Sequence, residues 1–211
     1  MHLLLSSCKG VSFKNKIIQM KPFLLLFCTL FVFACHHDHG EGQHDHHHSE
    51  AKAEEIPNVD FDQKLKDLNI ELTKPAPPVA NYVNITQSGN ILFLAGKGPN
   101  KPEGGYVTGK VGQDLTVEEG YEAARLVGIA QLSVLADYLG DLNRVKRILK
   151  VTGMVNATPD FANQPEVING FSDMMVEVFG ERGKHARAAV GMGSLPRNIA
   201  VEIEMIVEVY D

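Results

Sequence analysis

The C-terminal run constrains the fold more tightly than any other part of the chain. Residues 201–209 read VEIEMIVEV, so Val201, Ile203, Met205, Val207 and Val209 share one side of an extended strand, and Glu202, Glu204, Ile206 and Glu208 the other. An alternation of period two sustained over that length fits a half-buried strand and no helix. A second extended run, residues 185–190, precedes it, and the Ser194-Leu-Pro-Arg-Asn198 segment turns the chain between them. Arg187 stands in that earlier run among Ala186, Ala188, Ala189 and Val190. A guanidinium in apolar surroundings needs a partner. Two partners suit it: a glutamate of the neighbouring strand, as a structural ion pair, or the carboxylate of a small ligand gripped by the planar fork.

Upstream, residues 60–68 read as a short helix, and the Pro75-Ala-Pro-Pro78 run forces the chain to enter the sheet region extended. Residues 82–87 and 91–95 suggest a hairpin around Ser88-Gly89-Asn90. The glycine-rich residues 96–112 contain no phosphate-cradle motif and read as a long hairpin loop. Thr116, followed by Glu118 and Glu119, caps a long helix that runs to Leu139 and stops at Gly140. That helix has two apolar sides, Ala123-Val127-Ala130-Val134 and Gly128-Leu132-Leu135-Leu139, so it packs on a sheet and on another helix. Residues 147–155 read as a strand and residues 165–179 as a second long helix ending at Gly180. The order ββ(β)αβαββ predicts one α+β domain over residues 57–211, a mixed sheet with two helices packed on one face.

The net charge of −6 and the lack of a basic stripe argue against a nucleic-acid partner, which needs clustered Lys and Arg. The most basic stretch, RVKRILK at residues 144–150, alternates like a strand with a solvated outer face. Cys8, Cys28 and Cys35 all precede residue 36, so the domain has no disulfide and no thiol nucleophile.

The N-terminal part reads as an address. Met20-Lys21 and the apolar residues 23–34 make a signal-peptide core, too short for a membrane span, and Met20 is the expected start. Val32-Phe33-Ala34-Cys35 resembles a bacterial lipobox, which implies a signal peptide over residues 1–34 and a lipid on Cys35; ordinary cleavage near Ala34 is the alternative. The lipobox reading predicts a cell-envelope protein, held to a bacterial membrane only by its lipid anchor and facing the periplasm or surface. Residues 35–56 form a low-complexity tether carrying His36, His37, His39, His44, His46, His47 and His48. Those imidazoles either serve only as solvated spacer or also take up Zn²⁺, Cu²⁺ or Ni²⁺.

The segment ARAAV, followed by LP and then VEIE, resembles the closing signature of the RidA (YjgF) family of reactive-imine deaminases. VANYV at 79–83 is similar to the family's Pro-Tyr segment, NILFLAGKGP at 90–99 to its second strand, and PDFANQPEVINGFSDMMVEVFG at 159–180 to its second helix with the loop before it. The resemblance implies a chorismate-mutase-like α+β fold, a homotrimer, and clefts between subunits. It also implies hydrolysis of 2-imino or enamino acids to 2-keto acids and ammonia, with no metal or organic cofactor. Arg187 then matches the arginine that holds the substrate carboxylate, and Glu202 the glutamate that positions or activates water. Tyr82 matches a tyrosine that lines the cleft and Asn169 an asparagine near the second helix; each is either a substrate contact or structural, a half-buried tyrosine and an asparagine bonding a loop backbone. The chain departs from the family where Ala95-Gly96-Lys97 replaces Ser-Gly-Gln, removing a hydroxyl and an amide that orient substrate. Lys97 is then either a second cation for a larger carboxylate ligand or a solvated lysine. His185, two residues before Arg187 and on the same strand face, is either a general acid or a structural histidine. The other readings are a non-catalytic domain binding small carboxylates and a tethered metal-binding lipoprotein. The family's nuclease and mutase labels fit less well, since a mutase needs several cations for a dicarboxylate.

Overall fold

The computed structural model describes residues 55–210. The expectations for the signal peptide, the Cys35 lipid and the seven histidines of the tether lie outside the described residues.

The elements follow in the order α1 (Phe61–Asp67), β1 (Ile85–Ser88), β2 (Ile91–Lys97), α2 (Val117–Leu139), β3 (Val145–Asn156), α3 (Gln164–Phe179), β4 (Ala186–Met192) and β5 (Val201–Val209). The strands form one sheet in the order β1-β2-β5-β3-β4, antiparallel throughout except for the parallel β3–β4 pair. This is the mixed α+β sheet that the sequence predicts, with α2 and α3 on one face and the short α1 beside them. Among the described residues, no helix is long and apolar enough to cross a membrane.

Local sequence explains the element ends. The Thr116 hydroxyl accepts from the Glu119 N–H and the Glu119 carboxylate from the Thr116 N–H, which satisfies two donors that α2 leaves open at its start. Gly140 ends the helix at φ 73°, a left-handed conformation that a side chain would strain. The first strand starts later than the sequence suggests, at Ile85 and not at Tyr82. After the proline run the chain turns instead of extending, with the Tyr82 N–H bonded to the Ala80 carbonyl.

Side-chain parity along each strand sorts the sheet into two faces. Val201, Ile203, Met205 and Val207 on β5, with Val151 and Val155 on β3, are buried against the helices. Each such side chain contributes about 1.5–3 kcal/mol by leaving water. Gly153 lies on this face, where a Cβ would come within 2.7 Å of the Ile168 side chain, so α3 rests directly on β3. The opposite face is open. Phe93, Ile206 and Lys150 align across it, then Glu204, Thr152 and Ala188, then Glu202, Met154 and Val190.

The basic stretch that opens β3 is not merely a solvated face. Glu208, nearly buried on β5, accepts from Arg147 Nε at 2.6 Å and from Asn90 Nδ2 at 3.2 Å, and lies 3.4 Å from Lys146 Nζ. Burial alone would raise the Glu208 carboxyl, but the Arg147 bond and the two cations outweigh it and leave it below its ordinary value.

Candidate functional site

Arg187 occupies β4, the edge strand, in register with Val151 of β3, so its side chain rises on the helix-covered face. There it meets α3. Its Nη1 donates to Asn169 Oδ1 at 2.9 Å and to Ser172 Oγ at 3.0 Å. Asn169 and Ser172 are three apart, hence neighbours on one helical face. The Nη2 atom makes a long, exposed contact of 3.5 Å to the Pro165 carbonyl. Among the described residues no carboxylate lies within ion-pair reach of Arg187, so the ion pair with a glutamate of the next strand does not form. Both hydrogens of Nη1 are engaged by neutral acceptors, while Nε–H has no partner among the described residues. The Nε/Nη2 edge, which matches two oxygens of a carboxylate side-on, is left to the surface.

His185 stands beside this group. Its Nδ1 is 2.7 Å from the Gly183 carbonyl, its Nε2 3.1 Å from Ser172 Oγ, and its ring meets the buried Phe171 edge-on. Burial pushes the imidazole below its ordinary value; the Gly183 bond opposes this and the Arg187 charge adds to it. A neutral imidazole in such surroundings does not suit the general-acid role.

Glu202 lies on β5 in register with Met154, on the open face. Its carboxylate is half-buried, with neither a hydrogen bond nor an ion pair among the described residues. Burial, and secondarily the Glu204 charge, raises its carboxyl above the ordinary value. The carboxylate lies directly over Gly96: a Cβ there would come within 2.3 Å of Oε1. Gly96 itself follows an irregularity in β2, whose register with β5 shifts between Leu94 and Lys97. Gln131 of α2 occupies that gap, donating through Nε2 to the carbonyls of Ala95 at 3.0 Å and Ile203 at 2.8 Å. Lys97 is partly buried, donates to Asn84 Oδ1 at 2.5 Å, and burial lowers its ammonium below the ordinary value. It is therefore not simply solvated.

The structure brings Asn169 to Arg187 but does not bring Glu202 to it. Arg187 and Glu202 lie on opposite faces of one sheet, with β3 between their strands. Two strand spacings and the three-residue offset between Arg187 and Val190, the residue level with Glu202, put their Cα atoms roughly 14 Å apart, and their side chains diverge from there. Tyr82, half-exposed, precedes β1 at the far edge of the sheet, roughly 19 Å from β4 by the same spacing. Sequence reasoning missed Ser172, Gly96, Asn84 and Gln131. Ser172 was open to discovery through its spacing from Asn169; the other three depend on the β2 irregularity, which no local pattern announces.

The matches with known proteins agree with this architecture. The family model described as “YjgF/chorismate mutase-like, putative endoribonuclease” matches residues 62–209. Protein TCP17 of Trypanosoma cruzi is 45% identical over 145 residues, covering 68% of this chain and 91% of that protein. A RutC family protein of Pyrococcus horikoshii is 34% identical over 135 residues, 64% of this chain and 92% of its own length. Among solved structures, a protein of unknown function from Agrobacterium tumefaciens aligns at a TM-score of 0.65 with 43% identity, over 71% of this chain and 93% of that one. A Shewanella oneidensis protein given the same endoribonuclease description aligns at 0.68 with 29% identity, over 71% and 99%. The chain therefore belongs to the YjgF/RidA family and carries its chorismate-mutase-like fold.

Proposed function

We propose that the protein hydrolyses reactive 2-imino and enamino acids to 2-keto acids and ammonia, in a cleft between subunits of a homotrimer. The observation that carries this reading is the Arg187 guanidinium, braced through Nη1 by Asn169 and Ser172 and, among the described residues, unpartnered at its Nε–H. A 2-imino acid presents a carboxylate to that edge and an electrophilic C=N carbon one bond away. Water adds to the carbon of the protonated imine as a carboxylate takes its proton; the carboxylic acid returns that proton to the carbinolamine nitrogen, and the carboxylate then takes the hydroxyl proton as the C–O bond becomes a carbonyl, the C–N bond breaks and ammonia leaves. Glu202 supplies the carboxylate. Desolvation makes it more basic than an exposed glutamate, and among the described residues it has no partner to neutralise it.

Because Arg187 and Glu202 of one chain face away from each other, the reading requires Glu202 from a second copy. Phe93, Met154, Ile206, Ala188 and Val190 give the open face enough apolar surface for self-association. On the same reading, Tyr82 and Lys97 contribute to the cleft, Lys97 from β2, where it stands in register with Ile203. For the N-terminal region, the lipid on Cys35, the cell-envelope location and metal uptake by the histidine tract remain proposals of the same kind.

The test is imine turnover by a soluble variant beginning near Ala51. An amino-acid oxidase generates 2-imino acids in situ and semicarbazide traps what is not hydrolysed. Wild type is expected to accelerate imine loss and Arg187→Ala to abolish the effect. No acceleration across several imino acids, with ligand-dependent thermal stabilisation retained, would replace the enzyme by a non-catalytic carboxylate-binding domain. The replacement of the family serine by Ala95 favours that second reading.

A further inference from the structure

We propose that Ser172 and His185 are positioning residues for Arg187: together they fix the guanidinium so that its Nε/Nη2 edge faces an arriving carboxylate.

The hydrogen-bond inventory leaves one arrangement for a neutral imidazole. The Gly183 carbonyl can only accept, so His185 Nδ1, 2.7 Å away, carries the hydrogen and Nε2 is an acceptor. The single hydrogen of the Ser172 hydroxyl then goes to Nε2 at 3.1 Å. Its oxygen, with that donor committed, accepts from Arg187 Nη1 at 3.0 Å. Donation thus runs in one direction, from Arg187 to Ser172 to His185, and then from Nδ1 to the Gly183 backbone. A hydroxyl bonded only to water could rotate its hydrogen toward the guanidinium; here His185 prevents it. The imidazole is itself fixed, since the fully buried Phe171 packs against it edge-on with ring centroids 6.3 Å apart. Burial and the adjacent Arg187 charge both favour the neutral ring.

The consequence lies in where the cost of ordering falls. An arginine side chain has several rotatable bonds, and freezing them as the ligand binds weakens binding. Asn169 alone gives Nη1 one anchor and leaves the plane free to swing. A second anchor at Ser172 Oγ, on the other Nη1 hydrogen, sets that plane before the ligand arrives. The pair touches neither substrate nor water in this scheme, so it acts through Arg187.

The inference rests on the carboxylate-clamp reading of Arg187, and the experiment separates the two. KM and kcat for a 2-imino acid generated from L-leucine are measured with Arg187→Ala, Ser172→Ala, Ser172→Thr and His185→Asn, alongside thermal unfolding of each. Binding of the product, 4-methyl-2-oxopentanoate, by titration calorimetry provides a readout independent of turnover. Ser172→Ala is expected to raise KM, and the product Kd, about five- to tenfold, with kcat within about twofold of wild type. His185→Asn keeps a donor toward Gly183 but loses the acceptor for Ser172, and is expected to move KM the same way by less. Ser172→Thr retains the hydroxyl and is expected to restore KM. If Ser172→Ala and His185→Asn lower only the unfolding temperature while Arg187→Ala abolishes binding, the positioning role is overturned and the clamp stands. If Arg187→Ala itself leaves product binding unchanged, the clamp reading fails and the positioning role falls with it.

Discussion

Two copies of this protein, each inactivated at a different residue, should restore activity to one another. In one chain Arg187 rises from edge strand β4 on the helix-covered face, and Glu202 from β5 on the open face. With Cα atoms roughly 14 Å apart and side chains diverging, no amino-acid-sized imine can touch both. A site that uses both must take one from each of two subunits. Arg187→Ala and Glu202→Gln homo-oligomers are then both inactive, since every cleft lacks one group. In a trimer assembled at random from equal amounts of the two, a cleft is intact when its arginine comes from a Glu202→Gln chain and its glutamate from an Arg187→Ala chain. Each condition holds for half the chains, so roughly a quarter of clefts, and roughly a quarter of wild-type turnover, should return. The assay is semicarbazide-monitored imine loss by mixed oligomers, co-expressed with two different affinity tags and purified through both. Selecting for both tags enriches mixed clefts, raising the expected figure to about a third. Mixed oligomers that form but stay as inactive as either parent would refute the shared cleft, whatever Arg187 does by itself.

Other consequences are quicker to check. Glu204 raises the Glu202 carboxyl through its charge, so a base at Glu202 becomes active only as pH climbs through that raised value; Glu204→Gln should shift the acid limb of the pH–rate profile to lower pH, and an unmoved limb would sever the coupling. Gly96→Ala places a methyl 2.3 Å from Glu202 Oε1, which must swing aside; turnover should fall at least about tenfold, while stability changes by less than about 1.5 kcal/mol in urea unfolding. Two helical glycines should behave oppositely. At Gly170 a Cβ would come within 2.0 Å of the Tyr121 backbone carbonyl, so α2 and α3 must separate and Gly170→Ala should cost about 2 kcal/mol net of helix propensity, about 5 °C in Tm. At Gly128 the obstacle is the mobile end of Met174, so Gly128→Ala should be near neutral, and equal losses at both sites would refute the distinction. Glu208, whose carboxyl lies below its ordinary value, stabilises the fold above the unfolded-state carboxylate pKa, and that stability is lost as pH falls through the native one. Glu208→Gln should therefore cost about 1 kcal/mol at pH 7, after allowance for the exposure of Arg147, and flatten the acid side of the stability curve.

How far residue order discloses such a site depends on which period carries the information. The β5 alternation was plain because one face is buried by helices, and period two then marks every second residue. The ends of α2 were plain because Thr116, Glu119 and Gly140 act on their own neighbours. Arg187 was conspicuous, yet its face was not: β4 is an edge strand with an even, half-buried pattern, and the parity of Ala-Arg-Ala-Ala-Val does not say which side meets α3. Its partners Asn169 and Ser172 lie 18 and 15 residues away across a turn, joined to it by no period at all. The Gly96 pocket for Glu202 exists only once β2 pairs with β5 and breaks register. Resemblance to a family placed Arg187 and Glu202 in one cleft, but parity and sheet order place them on opposite faces of one chain. Both statements can hold for the same protein only if the cleft has two owners. On the proposed reading self-association is part of the chemistry, because a single copy presents Arg187 on one face of its sheet and Glu202 on the other.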